Sequence, residues 1–179
     1  MLDFKQSYFE LFGLPEDYNI DPLVLANSFR ELQAKYHPDR FVNSDEQERR
    51  VAVQTTGFIN EANETLKSSR LRARYMLQLK GVDFDDEIDT TSDGMFLMHQ
   101  MEMREALEDV PNAKDPIARV DDIAHDVESQ MDALKESFVE HYAAEKYAEA
   151  KEDVLKMKFF ERLCQEVKTL TEKLEDEMF

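Results

Sequence analysis

Residues 21–40 read DPLVLANSFRELQAKYHPDR, one complete amphipathic helix with its start and its stop written into it. Asp21 is a helix N-cap, and Pro22 suits the first helical position, where no backbone N–H is needed. Leu25, Phe29, Leu32 and Tyr36 follow at spacings of four, three and four, which places them on one side of the helix. Pro38 ends it, because a proline pushes the residue before it, here His37, out of the helical region. Similar punctuation lies on both sides. Ser7 caps a short helix carrying Tyr8, Leu11 and Phe12, which Gly13-Leu14-Pro15 terminates. Ser44 or Asp45 opens a third helix that runs to about Lys67 and returns antiparallel over the second, with Val51, Phe58, Ala62 and Leu66 as its inward positions. The loop between them is His37 to Asn43. Arg70 to Leu79 reads as a further helix stopped by Gly81.

Residues 81–92 are acidic and aperiodic, and are expected to link a first domain, 1–80, to a second, 93–179. Three longer helices are expected in the second: about Asp93 to Val110, Asp115 to Ala144 and Tyr147 to Glu177. The middle one carries Ile117, Val120, Ala124, Val127, Met131, Leu134, Phe138 and Tyr142 in an alternation of three and four. The last carries Phe160, Leu163, Val167, Leu170, Leu174 and Met178 in the same rhythm. Short connections and matching stripes predict an antiparallel three-helix bundle. With strand signals nearly missing, the chain is expected to be all-α.

Composition removes several functions. Lys and Arg total 22 against 40 Asp and Glu, a formal charge of −18, so binding to a phosphate backbone is disfavoured. The imbalance is lopsided: 11 basic and 12 acidic residues up to Lys80 give −1, whereas 11 and 28 after it give −17. Such asymmetry points to two units with different partners. The longest apolar runs are four residues, far short of the ~20 of a membrane-spanning helix. The first residues lack the basic and apolar regions of a secretory signal, and a lone Cys164 makes neither an internal disulfide nor a CxxC site, so a cytoplasmic protein is expected. Glycine-rich phosphate loops, HExxH and GxSxG are missing, and the histidines at 37, 99, 125 and 141 lack ligand spacing. No enzymatic activity, cofactor or metal is expected.

One helix has too many apolar residues for a single buried face. At about 100° per residue, Phe96, Met103, Leu107 and Val110 fall within about 40° of one direction, and Leu97, Met98 and Met101 point away from it beside Glu102 and Glu105. Flexible apolar side chains ringed by carboxylates make an adaptable protein-binding surface. Phe159 lies one residue off the stripe that begins at Phe160, at its margin, where a large aromatic can anchor a partner.

Three stretches together resemble a J domain, the module that activates ATPase chaperones of the DnaK type: Ser7 to Leu14 (SYFELFGL), Lys35 to Arg40 (KYHPDR) and Phe58 to Leu66 (FINEANETL). The resemblance implies that His37 and Asp39 make the polar contacts that bias the partner ATPase and that Pro38 fixes their direction. It implies that Arg30, Lys35 and Arg40 attract an acidic partner surface and that Phe29 adds an apolar contact. Glu31 beside Arg30 makes this helix less basic than in many members, which points to a dedicated partner. The whole chain, above all FLMHQMEMRE at 96–105 and KMKFFERL at 156–163, resembles the HscB family of iron-sulfur co-chaperones. That resemblance implies a C-terminal bundle that binds the cluster scaffold protein IscU through Leu97, Met98, Met101, Glu102, Glu105 and Phe159, with Arg104 beside them, and delivers it to the chaperone HscA. Met101 stands where other members carry leucine, an exchange of similar volume. Two other readings compete: a generic J-domain co-chaperone whose bundle holds unfolded clients or dimerises, and a histidine phosphotransfer bundle using His99 or His125. Asp122 and Asp126 flanking His125 repel an incoming phosphate.

Overall fold

The computed structural model describes residues 2–85 and 88–178, so Asp86 and Glu87 of the expected linker lie outside the described residues. These residues form α-helices and short 3-10 turns, with no strand among them. The chain divides into two compact units that meet in sequence at Leu79 and Lys80.

In the first unit, α1 (Tyr8–Leu11) begins with a reciprocal cap: the Ser7 hydroxyl accepts from the Glu10 N–H, and the Glu10 carboxylate accepts from the Ser7 N–H. Gly13 ends that turn at φ +67°, a conformation open to glycine. Helix α2 (Pro22–Tyr36) starts on Asp21, whose carboxylate accepts from the Leu23 N–H at 2.8 Å. Helix α3 (Glu46–Lys67) starts on Asp45, and α4 (Ser69–Leu79) closes the unit. Side-chain bonds pin α2 between its neighbours: Ser28 donates to the Phe12 carbonyl at 3.0 Å, and the Gln33 amide donates to Asn60 on α3. Phe9, Phe12, Leu25, Ile59, Leu66, Met76 and Leu77 form the core.

The inward face of α3 differs from expectation at two positions. Ala52, Thr55, Ile59, Ala62 and Leu66 are buried, whereas Val51 and Phe58 are only half-buried. Small side chains at 52, 55 and 62 suit a close approach of helices, and Phe58 packs edge-on against Phe4 and Tyr8 instead. On α2 only Leu25 is buried; Phe29, Leu32 and Tyr36 are half-buried.

In the second unit, α5 (Gly94–Glu108), α6 (Pro116–Ala143) and α7 (Tyr147–Met178) run up, down and up. Asp93 and Asp115 cap α5 and α6. The α6–α7 turn is a Schellman motif, with Lys146 N–H donating to the His141 carbonyl and Glu145 N–H to that of Tyr142. Glu145 therefore sits at φ +58°, where glycine is usual. Val120, Val127, Met131 and Phe138 of α6 meet Val154, Met157, Phe160, Leu163 and Val167 of α7, and Ile123 joins them although the stripe omitted it. Ile117, Ala124, Leu134 and Tyr142 are half-buried.

The segment expected to link the domains packs on the second unit. Phe84 is buried under the Lys151 ammonium, 5.0 Å from its ring; Asp89 pairs with Lys151 at 3.2 Å; and Thr91 donates to Glu152 at 2.6 Å. Aperiodic chain can thus be part of a packed unit.

Asp153 is a buried carboxylate at the top of the α6–α7 hairpin, accepting from Ser137 at 3.0 Å and meeting His141 Nδ1 at 2.7 Å. Burial pushes its carboxyl above the ordinary range, although the bonds from His141 and Ser137 act the other way. The trio shares residue types with a hydrolytic triad but not its wiring, which needs the hydroxyl on the far ring nitrogen of the histidine. Here both groups converge on the aspartate, so it is a hairpin clamp. Asp153→Ala strands two polar partners and is expected to cost about 2 kcal/mol, with Asp153→Asn costing less because an acceptor remains. Urea unfolding followed by circular dichroism measures both; equal costs would refute the clamp.

Candidate functional site

Two surfaces carry the residues singled out in the sequence. The first is the tip of the α2–α3 hairpin. His37 leaves α2 at ψ 130°, Pro38 opens a 3-10 turn to Phe41, and Arg40 N–H donates to the His37 carbonyl at 3.0 Å. The His37 Nδ1 accepts from the Asp39 N–H at 3.3 Å, so in the neutral ring the proton sits on Nε2. The Arg40 guanidinium turns back to the Ala34 carbonyl at 2.8 Å, and Thr56 of α3 donates to the Tyr36 carbonyl at 3.0 Å. Both bonds satisfy carbonyls that the end of α2 leaves open. The His37 and Asp39 side chains are 51% and 86% exposed, so neither is spent on holding the fold.

The other residues expected on this surface do not all gather at the tip. Lys35 lies 5.3 Å from the Tyr36 ring centre, close to the loop. Arg30 is about 140° around α2 from Lys35 and about 10 Å back along it from His37. Arg30 and Phe29 instead line a cleft of about 560 Å³ with Leu66, Lys67 and Arg72. Lys67 of α3 and Arg72 of α4 bring two further cationic side chains to that cleft.

The second surface is on α5. Asp93 accepts from the N–H groups of Met95 and Phe96, both at 3.1 Å, and from Lys156 of α7 at 2.8 Å. The bond from Lys156 is the main reason its carboxyl stays below the usual range. This clamp, with Phe96 packed edge-on against Phe159 and Phe160 at 5.8 and 5.9 Å, fixes how α5 is rotated. Met103 and Leu107 face inward, and the opposite side shows Leu97, Met98 and Met101 at 42%, 65% and 64% exposure. Met95, 84% exposed, extends the same patch and was overlooked. Glu102 and Glu105 border it, with Glu102 lying 3.8 Å from His99. Arg104 reaches across to Glu166 at 3.7 Å and stands 5.8 Å from the Phe159 ring.

Phe159 requires a correction. Its place beside the stripe implied an exposed margin, yet it is only 7% exposed. Phe96, Phe160 and Arg104 pack around its ring, and it lines a cleft of about 210 Å³ together with Leu97, Thr90 and Thr91. It supports the patch from beneath.

Among the described residues no three His, Cys, Asp or Glu side chains converge as for a metal ion, and no helix is long and apolar enough to cross a membrane. Residues 92–168 match the family described as the HSCB C-terminal oligomerisation domain. A co-chaperone protein HscB homolog of Aliivibrio fischeri (strain MJ11) is 42% identical over 168 residues, covering 94% of this chain and 98% of its own. Among solved structures, chaperone HscB from Vibrio cholerae superposes with a TM-score of 0.86 at 36% identity, covering 97% of this chain and all of that one. The human co-chaperone HscB gives 0.85 at 25% identity, covering 94% and 83%.

Exposure separates the patch into surface and support, and stability measures the difference. Leu97→Ala, Met98→Ala and Met101→Ala should each change unfolding free energy by less than about 0.5 kcal/mol, while Phe159→Ala should cost about 3 kcal/mol. Denaturant titration of the four variants decides it, and a cheap Phe159→Ala would mean that the ring is not core.

Proposed function

This chain belongs to the HscB family of co-chaperones, with a J domain and a C-terminal helical bundle, and we propose that it couples an iron-sulfur scaffold protein to a DnaK-type ATPase. The J domain stimulates the ATPase of a chaperone of the HscA type, and the bundle binds the scaffold IscU and presents it to that chaperone in the cytoplasm. Neither act is bond chemistry by this chain. The observation that carries the reading is the exposed apolar face of α5: Leu97, Met98 and Met101 remain open while the same helix buries Met103 and Leu107.

At the other surface, His37 and Asp39 point into solvent from a loop whose backbone is held by Pro38, Arg40 and Thr56. A loop of this kind can act on a partner without moving its own fold. It biases the partner's equilibrium only as far as its contacts differ between the two ATPase states. Arg30, Lys35 and Arg40 add attraction for an acidic surface, and Phe29 adds a half-buried apolar contact.

A second reading has one specific support: the family matched at 92–168 is described as an oligomerisation domain. The α5 patch would then cover its counterpart on a second copy. Sedimentation over a hundredfold range of concentration distinguishes the two, because a self-associating chain shifts to dimer and a scaffold-binding monomer does not.

His37→Gln should leave the melting temperature within about 2 °C of the parent, since the side chain makes only an exposed local bond. The same variant should lose stimulation of HscA ATP hydrolysis. Phosphate release assays with and without IscU measure this, and undiminished stimulation would remove His37 from the site.

A further inference from the structure

We propose that Met95, Met98 and Met101 are sulfoxidation sites through which a hydroperoxide releases the scaffold protein from α5. This rests on the patch being the scaffold-binding face and adds a chemical control of that face. The described methionine side chains fall into two sets: Met76, Met103, Met131 and Met157 are buried, whereas Met95, Met98 and Met101 are exposed. All three exposed ones stand on α5, three residues apart, so they span about 9 Å of helix and an arc of about 120°. With Leu97 they make up the apolar patch, and of these four only Leu97 lacks an oxidisable sulfur.

A thioether is oxidised at sulfur without prior ionisation, so accessibility decides which methionines react first. The sulfur gives two electrons to the hydroperoxide: an S=O bond forms as the O–O bond breaks, and the rest of the oxidant leaves as water or an alcohol. A neutral peroxide reaches this unit without the repulsion that an anionic oxidant meets, since 11 basic stand against 28 acidic residues after Lys80. On an open face the sulfoxide keeps its water and the core packing is untouched; under a partner it must give that water up. Glu102 and Glu105, which border the patch, accept hydrogen bonds as carboxylates and donate none, so they cannot satisfy the new oxygen. Cys164 is a further oxidisable sulfur, but burial pushes its thiol up, which keeps the reactive thiolate scarce at neutral pH. Methionine sulfoxide reductases reverse the reaction: the oxygen leaves as water and two thiols become a disulfide.

To test this, the full chain is treated with hydrogen peroxide, freed of oxidant and titrated calorimetrically with untreated IscU. Peptide mass mapping should find Met95, Met98 and Met101 oxidised at least about tenfold faster than Met76, Met103, Met131 and Met157, which react only after local opening. The treated chain should keep its melting temperature within about 2 °C and bind IscU with a Kd raised at least about tenfold. Methionine sulfoxide reductases A and B with dithiothreitol should restore that Kd, and dithiothreitol alone should not. In a variant carrying Met95→Leu, Met98→Leu and Met101→Leu, treated and untreated samples should share one Kd, whatever its starting value. A loss that persists in that variant, that dithiothreitol alone reverses, or that comes with a melted bundle overturns the proposal. If Leu97→Ala with Met98→Ala weakens binding while complete oxidation of the three methionines leaves Kd unchanged, the chemical control is wrong and the patch stands. If neither treatment nor that pair changes Kd, the scaffold-binding face itself is misplaced and the proposal falls with it.

Discussion

The edge-to-face packing of Phe96 against Phe159 and Phe160 fixes which side of α5 turns inward, and helix geometry then decides everything on the other side. With about 100° between successive residues, burying Met103 and Leu107 and half-burying Phe96 leaves Leu97, Met98 and Met101 no second layer to enter. A three-helix bundle has one interior. Apolar residues beyond what it can hold must face water, a partner or a second copy. The Asp93 clamp to Lys156 holds the same rotation from the helix end, so the exposed face is a rigid product of core packing.

At the hairpin tip the division of labour is different. Backbone carbonyls at the end of α2 need partners, and they find them in Thr56 and Arg40. Pro38 supplies a fixed φ and no donor, which lets the chain turn without a further cap. Once those needs are met, the side chains of His37 and Asp39 have no structural duty beyond one local contact. Side chains on a loop braced by two helices are both accessible and held in a defined place.

Most of the architecture was readable because helices announce their ends. Ser7 and Asp21 cap where expected, Asp45 rather than Ser44 caps α3, and Asp93 and Asp115, expected as approximate helix starts, are the caps of α5 and α6. Faces were harder. On α3 the eye follows Val51 and Phe58, but close helix contact selects the small Ala52, Thr55 and Ala62, and the aromatic is taken up by Phe4 and Tyr8 from outside the hairpin. Phe159 is more buried than its place beside the stripe predicts, because Phe96 and Arg104 of α5 cover a residue that the rhythm of α7 alone puts at a margin. The packing of Phe84 and Asp89 onto Lys151 left no periodic trace at all. Patch residues on α5 were legible because surplus hydrophobicity on one helix is a count, independent of what covers it.

Charge limits what the bundle can recognise. A unit carrying −17 after Lys80 repels acidic partners at long range, and at physiological salt that field fades over roughly 8 Å. Specific recognition must then be local, decided by side chains in contact. Apolar area on α5 supplies attraction that salt does not screen, and flexible methionines adapt to the shape they meet. The exposed side chains on α5 lie beside Phe159, which is largely buried and braces the helix from beneath.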